Sequence, residues 1–218
     1  MRRSEGINDE RSWMLVVGIL FSLGFAAFPW SRWENEFAGV DHLIGYEATW
    51  WTAIGVVLAY VVWVERRPLR SLGLRSFGMR DALIGLLTGV VTLACLAAIY
   101  YKVFPWLHLS EGGSMHKLQA TPLWWQVISV IRAAVGEEVL FRGYALERTE
   151  ELTGSPMFAG VFTCTIFALE HVSVWGWGHL LIAGFGGGML TALYLWRRNL
   201  WVNMIAHVVV DGVTVLLG

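Results

Sequence analysis

Glu137, Glu138 and Arg142 stand in an otherwise apolar run, VGEEVLFRGYAL, at 135–146. Glu138 and Arg142 are four apart, so on a helix they share a face and can pair. Glu137 is rotated by about 100° from Glu138 and is left as the spare carboxylate. A second cluster is FALEH, which puts Phe167 and His171 on one face with Glu170 turned to another. A third is NMIAHVVVD, where Asn203, His207 and Asp211 fall four apart along one stripe of a helix. Ionisable groups in apolar spans cost at least a few kcal/mol each, so they are either paired for structure or kept for function.

A buried carboxylate beside an imidazole can position and deprotonate a water molecule. Glu137 with His171 fits that role. Amide hydrolysis also needs a donor for the developing oxyanion. His207 can supply an N–H, with Asp211 fixing its tautomer. No serine or cysteine lies in a nucleophile motif. Zinc is the competing scheme, since Glu137, His171 and His207 make a possible ligand set with room for water. No H-E-x-x-H is present and these three come from distant segments, so metal-free hydrolysis is the leading expectation and zinc the alternative.

The elements that carry these residues are membrane-like. Of 218 residues 56% are hydrophobic and only 15% charged, and mean hydropathy is +0.55. The net charge of −1 supplies no field for nucleic acid. A spanning helix needs about 20 mostly apolar residues. Candidate spans are 13–30, 44–64, 82–104, 122–146, 156–175, 179–196 and 200–217. The expected fold is therefore all-α, a polytopic membrane bundle of about seven transmembrane helices. The 13 tryptophans mostly bracket these runs, as interfacial indoles do. The first run has a basic start but no clear cleavage site, and reads as an uncleaved helix rather than a signal peptide. Cys95 and Cys164 read as core packing. The segment 105–121, with Gly112, Gly113 and Ser114, reads as the most flexible loop.

Arginines set the expected orientation. Arg2, Arg3 and Arg11, the 65–81 loop, Arg142 and Arg148, and Arg197 and Arg198 all fall on one side. That side is expected to be cytoplasmic, with the N-terminus in and the C-terminus out. Counting helical rise from the same side, Glu137 lies roughly 13 Å deep, His207 and Asp211 roughly 10 and 16 Å, and His171 roughly 22 Å. The clusters are thus expected around one cytoplasm-facing cavity. Arg132 and Glu170 are left over as a possible pair or as tuners of substrate choice.

The three motifs, Glu137-Glu138-x-x-x-Arg142, Phe167-x-x-x-His171 and His207-x-x-x-Asp211, resemble those of the CPBP intramembrane proteases. That family includes the type II CAAX prenyl endopeptidases and the bacteriocin-processing or immunity proteins (ABI family). The resemblance covers about the last 100 residues. It implies a catalytic core at 120–218 integrated with N-terminal helices and a basic loop at 1–110. It implies that Glu137 and His171 activate water, that Glu138 and Arg142 support the motif helix, and that His207 and Asp211 stabilise the oxyanion or complete the site. The implied activity is hydrolysis of a peptide bond in a membrane-anchored or membrane-proximal substrate, with the bilayer and that substrate as partners. The implied location is the bacterial cytoplasmic membrane. Two rival classes remain: a transporter or proton relay, disfavoured by the lack of internal repeats, and a non-catalytic membrane scaffold or immunity protein.

Overall fold

The computed structural model describes residues 9–28, 40–109 and 114–217. Among these, the regular elements are all helical. In chain order they are α1 (Asp9–Ala26), α2 (Val40–Ala59, extended by a π turn to Val64), α3 (Met79–Ala98, continued by π and α turns to Trp106) and α4 (Ser114–Gln119). The motif helix α5 (Leu123–Glu137) runs on through a π-helical stretch, Glu138–Leu146, into α6 (Glu147–Thr153). The last three are α7 (Pro156–Trp175), α8 (His179–Arg197) and α9 (Leu200–Leu216).

Among the described residues, four segments are long and apolar enough to cross a membrane: Leu43–Val64, Met79–Trp106, Pro156–Trp175 and His179–Arg197. The shorter helix α9, Leu200–Leu216, is apolar as well. The other two expected spans differ for visible reasons. α1 opens on Asp9, Glu10 and Arg11, and the α5 run carries Arg132, Glu137, Glu138 and Arg142. Pro29 and Trp30 of the first expected span lie outside the described residues. So do Arg2, Arg3 and positions 110–113 of the expected flexible loop. The rest of that loop is not all irregular, because Pro105 and Trp106 finish α3 and 114–119 form α4.

Local chemistry sets the ends of the functional helices. Ser155 caps α7, its Oγ accepting from the Phe158 amide at 3.1 Å, with Pro156 in the first turn. Asn199 caps α9, accepting from the Trp201 amide at 3.2 Å. The chain reverses between α8 and α9 at Arg198, with φ at 49°. α9 packs chiefly on α3 and α5, and α7 on α8. The α3–α9 approach requires glycine: a Cβ on Gly85 or Gly89 would lie 2.7 Å from Val202 O or Val209 Cβ.

Charge gathers at one end of the bundle. Arg11 and Arg67 both pair with Glu151, Arg148 with Glu65, Arg197 with Asp81, and Arg198 with Glu147 and Glu150. These pairs bring the start of α1, the loop after α2, α6 and the α8–α9 turn together, as the grouping of basic loops in the sequence requires. Arg67 grips Glu151 with two bonds of 2.6 and 2.7 Å. This pairing holds the Glu151 carboxyl below its ordinary range. A lowered folded-state pKa contributes stability above the unfolded value of 4.5, and that contribution is lost as pH falls through the folded value. Glu151→Gln should therefore cost about 1 kcal/mol at neutral pH and flatten the acid limb of a thermal-midpoint against pH profile. An unchanged acid limb would remove this pair from the stability of that end.

Candidate functional site

Glu138 accepts from three side chains on two helices. It is fully buried, and its Oε1 accepts from Arg142 Nη1 at 3.0 Å and from His207 Nδ1 at 2.9 Å. Its Oε2 accepts from Asn203 Nδ2 at 3.0 Å, a group that also donates to Leu190 O at 2.8 Å. Arg142 Nη2 donates to Gly187 O at 2.9 Å, and its guanidinium lies 4.4 Å over the Phe167 ring. Gly187 is obligatory here, because a Cβ would sit 2.7 Å from Phe167 Cδ1. One carboxylate thus ties the motif helix to α9 directly and, through Arg142, to α7 and α8. A charge this deep is tolerable only when so fully paired. The π-helical backbone of Glu138–Leu146, all of it buried, sits where such departures from α geometry often mark function.

Glu137 is the opposite case. Its carboxylate makes no hydrogen bond among the described residues, and its nearest polar partner is His207 Nε2 at 3.8 Å. His207 Nε2 also faces Asp211 Oδ2 at 3.3 Å. Because a carboxylate only accepts, His207 Nδ1 carries a proton toward Glu138. Glu138 thus joins Asp211, the partner expected from the sequence, in orienting the ring. Asp211 stands with Glu137 on the Nε2 side of the ring.

His171 is fixed in the same manner. Its Nδ1 lies 2.7 Å from Phe167 O, so Nδ1–H donates and Nε2 is the ring nitrogen left for other partners. The ring packs on Phe167 and stacks on His179, with centroids 5.8 Å apart, and His179 stacks on Trp175. His171 and Asp211 are in electrostatic range of each other. No direct contact links His171 to Glu137.

Glu170 belongs to this site rather than to another face. It is within electrostatic range of Glu137 and Arg142 and 3.8 Å from His171 Nδ1. Arg132 does not pair with it. Arg132 Nε binds Glu47 Oε1 at 3.0 Å, under the rings of Tyr46 and Trp50, and Glu47 Oε2 accepts from Trp51 Nε1. That pairing also explains how Glu47 is tolerated inside a span.

Arg142, Tyr144, Leu72, Tyr194 and Leu200 are all at most 1% exposed. Asp211, His171 and Glu137 are less deeply buried, with side chains 30%, 17% and 13% exposed.

Residues 119–213 match the family described as type II CAAX prenyl endopeptidase Rce1-like. This chain is related to the CPBP/CAAX protease family. The matched segment holds every motif residue from Glu137 to Asp211 and leaves α1, α2 and α3 outside. No curated protein and no solved structure matches the chain. At family level the relationship indicates a membrane protease.

Two participants went unrecognised in the sequence. His179 opens α8 in no motif, and only its closeness to His171 across the α7–α8 turn marks it. Glu47 stands in an apolar span outside every motif, and nothing in its spacing points to Arg132. Asn203 was visible as the third member of the α9 stripe, but its bond to Glu138 was not.

Proposed function

We propose that this protein is an intramembrane endopeptidase that hydrolyses a peptide bond in a membrane-anchored or membrane-proximal peptide, with Glu137 as the base that activates water. The observation that carries this reading is the contrast between the two glutamates. Glu138 is consumed by three donors, whereas Glu137 is free beside His207. At 3.8 Å, Glu137 Oε2 and His207 Nε2 can both hydrogen-bond one water.

Glu137 removes a proton from that water as its oxygen attacks the carbonyl carbon. The proton returns to the leaving amine as the C–N bond breaks. His171, with its Nε2 left for other partners, assists. His207 in its imidazolium form offers an Nε2–H to the developing oxyanion, with Asp211 beside it. We further propose about seven membrane-crossing helices, the arginine-rich end lying in the cytoplasm.

The zinc alternative asks Glu137, His171 and His207 to converge on one ion. Among the described residues no three His, Cys, Asp or Glu side chains are grouped to do so. Both nitrogens of His207 face carboxylates. The residues as placed do not fit that group, and no step is routed through it.

The test is reconstitution of the purified chain in lipid vesicles with a panel of membrane-anchored peptides, read by mass spectrometry. Cleavage that survives exhaustive chelation is expected. Loss on chelation with recovery on added zinc would replace this mechanism by the metal version. Proton or ion flux without any cleavage would favour the transporter class.

A further inference from the structure

We infer that the loop between α2 and α3 forms a binding site for the phosphodiester headgroup of an anionic phospholipid. A cavity of about 300 Å³ lies in this loop, lined by Pro68, Arg70, Ser71 and Arg75. No carboxylate lines it. Arg67, Arg148, Arg197 and Arg198 are all ion-paired at this end, but Arg70 and Arg75 make no ion pair or side-chain hydrogen bond among the described residues. Arg70 and Arg75 line one cavity without a carboxylate partner, and their side chains carry the planar donors that phosphate oxygens fit.

The third donor is Ser71. Its Oγ accepts from Arg148 Nη2 at 3.1 Å, which leaves its O–H to donate outward. Arg148 is itself locked on Glu65 at 2.6 Å, so the serine is held in place. The loop is built into the bundle and not merely basic. Leu72 is fully buried, the Leu200 amide donates to Gly73 O at 2.9 Å, and Asn199 Nδ2 donates to Ser76 O at 3.0 Å.

Depth selects a lipid as the source of the phosphate. One candidate span ends at Val64 and the next begins at Met79, so the cavity lies just past the apolar ends of both. Exposed Trp63, Phe77 and Met79 flank the loop along the chain, the side chains expected at a membrane interface. Clustered arginines at that level bind anionic headgroups.

The experiment titrates the full chain, in neutral detergent micelles, with short-chain phosphatidylglycerol, phosphatidylcholine or inorganic phosphate. Thermal midpoint and native mass spectrometry are read together. Phosphatidylglycerol should raise the midpoint saturably and appear as a retained adduct, whereas the other two should not. R70Q/R75Q should raise the half-saturating concentration roughly tenfold or more, while R80Q in the first turn of α3, outside the cavity, should leave it unchanged. Should R70Q/R75Q fail to fold, R70K/R75K keeps the charge and removes the planar fork, and an intermediate weakening is expected. Equal titration of R70Q/R75Q and R80Q, or equal effects of the two lipids, would overturn the site. A full shift with inorganic phosphate alone would overturn the lipid assignment.

Discussion

Glu137→Gln should leave the fold and thermal midpoint of this protein unchanged while lowering peptide hydrolysis by about 10²- to 10⁴-fold, the share a positioned general base contributes. The substitution keeps the shape of the side chain and removes only its basicity. It breaks no hydrogen bond among the described residues, because the Glu137 carboxylate approaches His207 Nε2 no closer than 3.8 Å. A purely structural glutamate would behave in the reverse manner, losing stability first and activity only as a consequence. The measurement is initial rate in vesicles beside a melting curve of the same preparation. Turnover within about twofold of the parent would move the base to another carboxylate, with Glu170 and Asp211 the nearest choices.

The helical spans and the three polar motifs were legible because they rest on local spacing. Apolar runs of about 20 residues and residues four apart on one face need no knowledge of the fold. The α7, α8 and α9 bounds fall within a residue or so of the expected runs. What stayed hidden was which motif residue meets which. Glu138 was read from its spacing as the partner of Arg142 alone, yet it also holds His207 and Asn203 from a helix more than sixty residues away. Arg132 was left over beside Glu170, as a possible pair or as tuners of substrate choice. Its true partner, Glu47, sits in a helix outside the motif region. The π-helical run at Glu138–Leu146 leaves no mark in periodicity, since every one of its residues is buried and the pattern has no exposed face to register against.

The second large effect falls on the neighbouring residue. Glu138→Ala should destabilise the protein by about 3–5 kcal/mol, the cost of leaving a buried partner charge uncompensated. Arg142 would keep its bond to Gly187 O and its place over Phe167, but its charge would face an empty pocket. His207 would lose the acceptor that holds Nδ1, and its ring would be free to turn toward Asp211. Activity should fall as well, through loss of the His207 orientation rather than loss of a base. The two glutamates are thus separable by experiment: Glu137→Gln lowers the rate at constant stability, and Glu138→Ala lowers both. Adding Arg142→Met to Glu138→Ala removes the stranded cation and should recover part of the stability without restoring turnover. A double variant as unstable as Glu138→Ala alone would show that the cost lies in His207 and Asn203, and that the buried ion pair is secondary to the hydrogen bonds which join α9 to the motif helix.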